Sequence, residues 1–133
     1  MIRCIILTHG DLGESLVNTA RKIIGPLEDI KALSNEQISI KAFAEKLESA
    51  VKEWLDSDII IMADFCGGSC WYAAQAVKRT YPKIALIAGV NLPMVIAYWY
   101  NRTAGNLNNL IKLLKDSAQK SIETIIDQPK EAD

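Results

Sequence analysis

The chain has 133 residues, half of them hydrophobic, which suits one domain around one core. Its 15 basic and 16 acidic residues leave a net charge of −1 with no long block of either sign, which excludes a broad footprint for nucleic acid or anionic membrane. Any anion site must therefore be local, and three cysteines, an odd number too small for a disulfide framework, point to a reducing cytoplasm.

Ile2 to Thr8 reads as the first strand. The apolar run from Met1 to Leu7 breaks at Thr8-His9-Gly10 and lacks the cationic leader and small-residue cleavage site of a targeting segment. No uninterrupted apolar run in the chain approaches the ~20 residues that cross a bilayer, so no membrane insertion is expected. Gly10 to Ile24 follows as a helix, with Leu12, Leu16, Val17, Ala20, Ile23 and Ile24 at helical spacing, and Gly25-Pro26 stops it. Ile30 to Leu33 is a short second strand. Ser39 is placed to cap the next helix, whose apolar stripe is Ile40, Phe43, Leu47, Val51 and Trp54. Asp58 to Ala63 is a continuous apolar strand of the kind covered on both faces.

After Asp64-Phe65-Cys66 come Gly67-Gly68-Ser69 and a helix from about Cys70 to Arg79. Lys83 to Val90 supplies another fully buried strand. Asn91-Leu92-Pro93 reads as a helix start, because proline in a first turn forfeits no hydrogen bond. That helix runs to about Tyr100, and a last one runs from about Gly105 to Lys120. Ser121 to Ile126 is predicted as one more strand, with residues 127–133 as a polar tail that frays from Gln128 to Asp133.

Strands alternating with helices predict a doubly wound α/β fold: four parallel strands, right-handed crossovers and helices on both faces. Such open sheets gather their sites at the carboxyl ends of the strands. Those ends are Thr8-His9-Gly10, Ser34-Asn35, Asp64 to Ser69 and Gly89 to Pro93.

His9, the only histidine, lies one residue past a strand and at the start of a helix. A neutral imidazole keeps a free lone pair near neutral pH, and the helix start offers unpaired N–H groups that suit a phosphoryl group. Asp64 ends another strand. If the two strands are neighbours, its carboxylate accepts the Nδ1–H of His9 and leaves Nε2 as nucleophile. Thr8, Gly10, Gly67, Gly68 and Ser69 are the candidate phosphoryl-binding residues, through backbone donors and hydroxyls.

Other readings use the same residues. A lone histidine after a strand also serves as a satisfied polar group, Asp64 equally suits a helix cap, and Gly-Gly-Ser is also a plain turn. Cys66 and Cys70 have the spacing Cys-x-x-x-Cys, not Cys-x-x-Cys, so packing is expected before redox chemistry. No His/Cys/Asp/Glu cluster shows ligand spacing along the chain, so neither a metal nor another cofactor is expected. Tyr98-Trp99-Tyr100 point in different directions on a helix, which suits packing and an oligomer contact, and Arg102 is expected to face solvent.

Three blocks resemble the EIIA component of the mannose/fructose/sorbose family of the phosphoenolpyruvate-dependent sugar phosphotransferase system. They are Ile6-Leu7-Thr8-His9-Gly10 with its helix to Ile24-Gly25, Asp64-Phe65-Cys66-Gly67-Gly68-Ser69 leading into Ala73-Ala74, and Ile87 to Met94. The likeness spans residues 1–126, which it makes one domain. It implies a cytoplasmic phosphoryl carrier in sugar uptake, phosphorylated on His9 Nε2 by the histidine phosphocarrier protein HPr and discharged to a separate EIIB subunit. It also implies that Asp64 orients His9, that Ser69 touches the phosphoryl group, and that the protein is a homodimer whose carboxy-terminal strand exchanges between subunits. Phe65, Leu92 and Met94 would form an apolar rim for partner docking. The sequence departs from the family pattern at Cys70, where proline is common, at Trp71-Tyr72 and at Trp99-Tyr100. Two alternatives share His9 and Asp64: the phosphotransfer subunit of a phosphoenolpyruvate-dependent dihydroxyacetone kinase, and a regulatory module that senses phosphate without transport.

Overall fold

The computed structural model describes residues 1–127. Four strands are formed by the apolar runs: β1 (Ile2–Thr8), β2 (Ile30–Ser34), β3 (Asp58–Ala63) and β4 (Ala85–Ala88). All pair in parallel in the order β2-β1-β3-β4, so β1 and β3 are central neighbours, with Ile6 opposite Met62 and Leu7 opposite Ala63. Helices α1 (Leu12–Ile24), α2 (Ile40–Lys52), α3 (Ser69–Thr80), α4 (Leu92–Asn101) and α5 (Leu107–Lys120) complete the doubly wound α/β architecture.

The two-residue period of the strands sorts the core into two layers. Cys4, Ile6, Ile60 and Met62 point toward α1, α4 and α5, where Val17, Ala20, Tyr98, Leu110 and Leu114 close over them. Ile5, Leu7, Ile59 and Ile61 point the other way, toward Phe43, Leu47, Cys70 and Ala74 of α2 and α3. Tyr98 is fully buried and directs its hydroxyl at the carbonyls of Ile2 (2.8 Å) and Asp29 (3.0 Å), which ties α4 to the foot of the sheet. Helix starts use short polar side chains: Ser39 accepts from Ala42 N, Asn91 from Met94 N and Asn106 from Asn109 N.

Several expectations change. The strand expected over Lys83 to Val90 contracts to β4, and it is only partly buried because it is an edge. Ile40 opens α2 and stays exposed, since the first-turn position it occupies faces away from the sheet, and Trp54 lies beyond the end of that helix. Arg102 does not face solvent. Its guanidinium folds back over the Trp99 ring at 3.4 Å and donates to Trp99 O. Within this chain residues 122–127 pair with no strand, and Ile122, Ile125 and Ile126 are exposed. The fraying expected from Gln128 to Asp133 lies outside the described residues.

Candidate functional site

His9 emerges from the carboxyl end of β1, and Gly10 follows with a φ of +58°, a left-handed turn that glycine adopts without a side-chain clash. Thr8 was expected to hold a phosphoryl group, but it is buried and its hydroxyl accepts from Gly13 N at 2.8 Å. It fastens the first turn of α1 instead. Asp64 leaves the neighbouring strand β3 one step further along, its own N–H donating to Leu7 O. Neighbouring parallel strands therefore deliver the histidine and the carboxylate to one place.

The contact between them has two parts. Asp64 Oδ2 accepts from the backbone N–H of His9 at 2.9 Å and lies 2.7 Å from His9 Nδ1, while Oδ1 accepts from Phe65 N–H at 3.0 Å. Burial alone would raise the Asp64 pKa. The His9 backbone N–H, the His9 ring and the Phe65 N–H outweigh it and hold the carboxyl below its usual range. With Nδ1–H directed at the carboxylate, Nε2 keeps its lone pair.

Ser69 opens α3 and places Oγ 3.3 Å from His9 Nε2. Asn35, just past the end of β2, donates through Nδ2 to that same Oγ at 3.1 Å. Phe65 stacks on the imidazole with ring centroids 5.2 Å apart. Gly67 turns the loop with a φ of +95°. Gly68 is close packed: a Cβ there would lie 2.7 Å from Phe65 Cζ and 2.9 Å from His9 Cε1. The first N–H groups of α3 have no intrahelical acceptor, and the helix begins beside the imidazole, where Ser69 meets Nε2. The His9 side chain remains 42% exposed, so a docking protein can reach it.

Cys70 is buried beside the imidazole, its Sγ 3.9 Å from Nδ1. Burial, reinforced by the Asp64 charge, pushes its thiol up to about 11, so it stays protonated at neutral pH and is a poor nucleophile. His9, Asp64 and Cys70 nevertheless bring a nitrogen, an oxygen and a sulfur within 4.8 Å of one another, a cluster that chain spacing did not reveal. A metal ion there would displace both the Nδ1–H contact and the thiol proton. Cys66 is exposed and Cys4 is buried.

The expected docking rim divides. Phe65 is exposed and Leu92 half-buried, but Met94 is only 2% exposed and belongs to the core. The Asn91 cap sets the phase of α4 and turns Met94 inward. Asn35 joins the site without a sequence signal, because an amide at a strand end carries no chemical signature. A wide concavity lined by Met1, Asp58, Tyr81 and Ile84 sits at the opposite end of the sheet and shares no residue with His9. Among the described residues no helix is long and apolar enough to cross a membrane.

The profile of the EIIA-man family, described as PTS system fructose IIA component, matches residues 3–115. The PTS system fructose-specific EIIA component of Bacillus subtilis is 27% identical over 125 residues, covering 92% of this chain and 86% of that protein. The mannose-specific EIIAB component of Escherichia coli is 24% identical over 98% of this chain, which spans only 41% of the length of that relative. Phosphotransferase system component EIIA from Streptococcus agalactiae superposes with a TM-score of 0.87 at 22% identity, over 93% of this chain and 97% of that one. The mannose/sorbose specific IIA subunit from Enterococcus faecalis gives a TM-score of 0.75 at 27% identity over 98% of both chains.

Proposed function

The chain belongs to the EIIA-man family of phosphotransferase-system IIA components, and on that premise we propose that it carries a phosphoryl group on His9 Nε2 between HPr and a separate EIIB subunit. The observation that carries this reading is the convergence of Asp64 and Ser69 on the two nitrogens of an exposed imidazole. As Nε2 bonds to phosphorus, the phosphorus–nitrogen bond of the donor phosphohistidine breaks and its electron pair stays with the donor ring. Positive charge grows on the His9 ring during this step, and the Asp64 carboxylate stabilises it through Nδ1–H. Ser69 and the backbone N–H groups at Gly10, Gly67 and Gly68 hold the phosphoryl oxygens, and little more than alignment is asked of the protein. Transfer to EIIB reverses the same bond changes.

The open position of His9 suits protein partners that dock in turn, with Phe65 and Leu92 in the apolar rim. Residues 1–126 act as the phosphocarrier domain, working in the cytoplasm. The homodimer belongs to the same proposal, supported by the exposed isoleucines after α5 and the open edge of β4. Radiolabelled phosphoenolpyruvate with the general phosphotransferase proteins of its source will label the wild-type chain, and His9→Ala will take no label. A wild type that stays unlabelled overturns the reading. Label that no EIIB can discharge selects the regulatory module instead.

A further inference from the structure

Asn35 stands where three elements meet. Its backbone N–H donates to Thr8 O at 3.3 Å, next to the residue from which His9 emerges. Its side chain reaches across to α3 and donates to Ser69 Oγ at 3.1 Å. The local turn does not need this amide, because Glu36 N–H is already taken by Ser34 Oγ at 3.0 Å.

The bonds run in one direction. Asp64 keeps the proton on Nδ1, so Nε2 is an acceptor and the hydroxyl 3.3 Å away must donate to it. A serine oxygen has two acceptor lone pairs, and the Asn35 amide fills one of them. From this juxtaposition of Asn35, Ser69 and His9 we infer that Asn35 is a positioning residue that anchors the Ser69 oxygen, so that only the hydroxyl hydrogen turns, from Nε2 to a phosphoryl oxygen, when the bond to phosphorus forms. The inference rests on the phosphocarrier reading. Once Nε2 has given its lone pair to phosphorus it no longer accepts, and the hydroxyl needs a new acceptor within reach. An unanchored serine would change rotamer and lose that donor at the moment charge rearranges.

The test compares wild type, Asn35→Ala, Asn35→Asp, Ser69→Ala and the Asn35→Ala/Ser69→Ala pair. The first readout is the Nε2 chemical shift of His9 in the unloaded protein. The second is the rate at which phosphoramidate, a small donor that releases ammonia as it phosphorylates imidazole, loads His9 without any partner protein. Asn35→Ala should move the Nε2 resonance to where Ser69→Ala moves it and slow loading by about five- to tenfold, as expected for one lost hydrogen bond. The double variant should be no slower than Ser69→Ala alone. Asn35→Asp keeps the shape but draws the hydroxyl proton toward its carboxylate, so it should be at least as slow as Asn35→Ala. This isostere also serves if Asn35→Ala folds poorly.

An unchanged Nε2 resonance in the Asn35 variants, or losses that multiply in the double variant, overturns the inference. If the wild type takes no phosphoryl group at all, the function proposed above fails, while the Nε2 resonances still decide whether Asn35 acts through Ser69.

Discussion

At the scale of single residues, the site is set by who donates to whom. Asp64 accepts three N–H groups, two from His9 and one from Phe65, and its carboxyl is held below the ordinary value of 3.8. A carboxyl depressed by folding stabilises the native state above its unfolded pKa, and loses that contribution as pH falls through its folded pKa. The wild type should therefore be more stable than Asp64→Asn at neutral pH, and the gap should close as the pH drops below 3.8 and passes the depressed value. Paired denaturant melts across that range check it, and a gap that stays constant with pH would contradict the linkage. His9 and Asp64 were legible in the sequence because each follows a continuous apolar run, and a parallel sheet puts such positions side by side. The role of Asn35 was not, since a strand-end amide has no chemistry of its own and acts here only through Ser69. Met94 was misassigned to the rim because apolar character alone does not give the rotational phase of a helix.

At the scale of elements, the start of α3 has to approach the imidazole closely. Gly68 is its cap, and the absence of a Cβ lets the Phe65 and His9 rings lie against the backbone. Gly68→Ala would press a methyl group on both rings. Phe65 is exposed and can swing away, so the loss of stability should be small, about 1 kcal/mol. Phosphorylation of His9 should fall more sharply, by about tenfold, because misplacement of the reacting atom is punished exponentially. Removing the obstruction with Phe65→Ala in the same chain should restore part of the rate, which loading kinetics and melts on the two variants will show. The elements themselves were mostly readable. Ser39, Asn91 and Pro93 announced helix starts, and Ile59-Ile60-Ile61-Met62 announced a central strand. The run at β4 looked equally buried in sequence, yet an edge position depends on which strand comes last in the sheet, and composition does not carry that order.

For the whole molecule, the open question is what covers residues 122–127. Three isoleucines there are exposed, Ile125 almost completely at 99%, and β4 leaves its outer edge free among the described strands. On the proposed reading a second copy supplies the cover. Deleting residues 122–133 should then convert a dimer to a monomer in sedimentation, and a wild type that sediments as a monomer removes that part of the proposal. On that reading the strand forms only against another chain, which is why the local pattern at Ser121 to Ile126 suggests a strand while residues 122–127 pair with none within this chain. The grip on His9 reaches furthest: Asp64 Oδ2 holds both the backbone nitrogen and the ring of one residue. A residue held at both its backbone and its ring does not travel like a swinging arm. On the proposed reading, giver and receiver then use the same landing ground, and the first has to leave before the second arrives. On that reading, how quickly its visitors trade places bounds the traffic through the carrier.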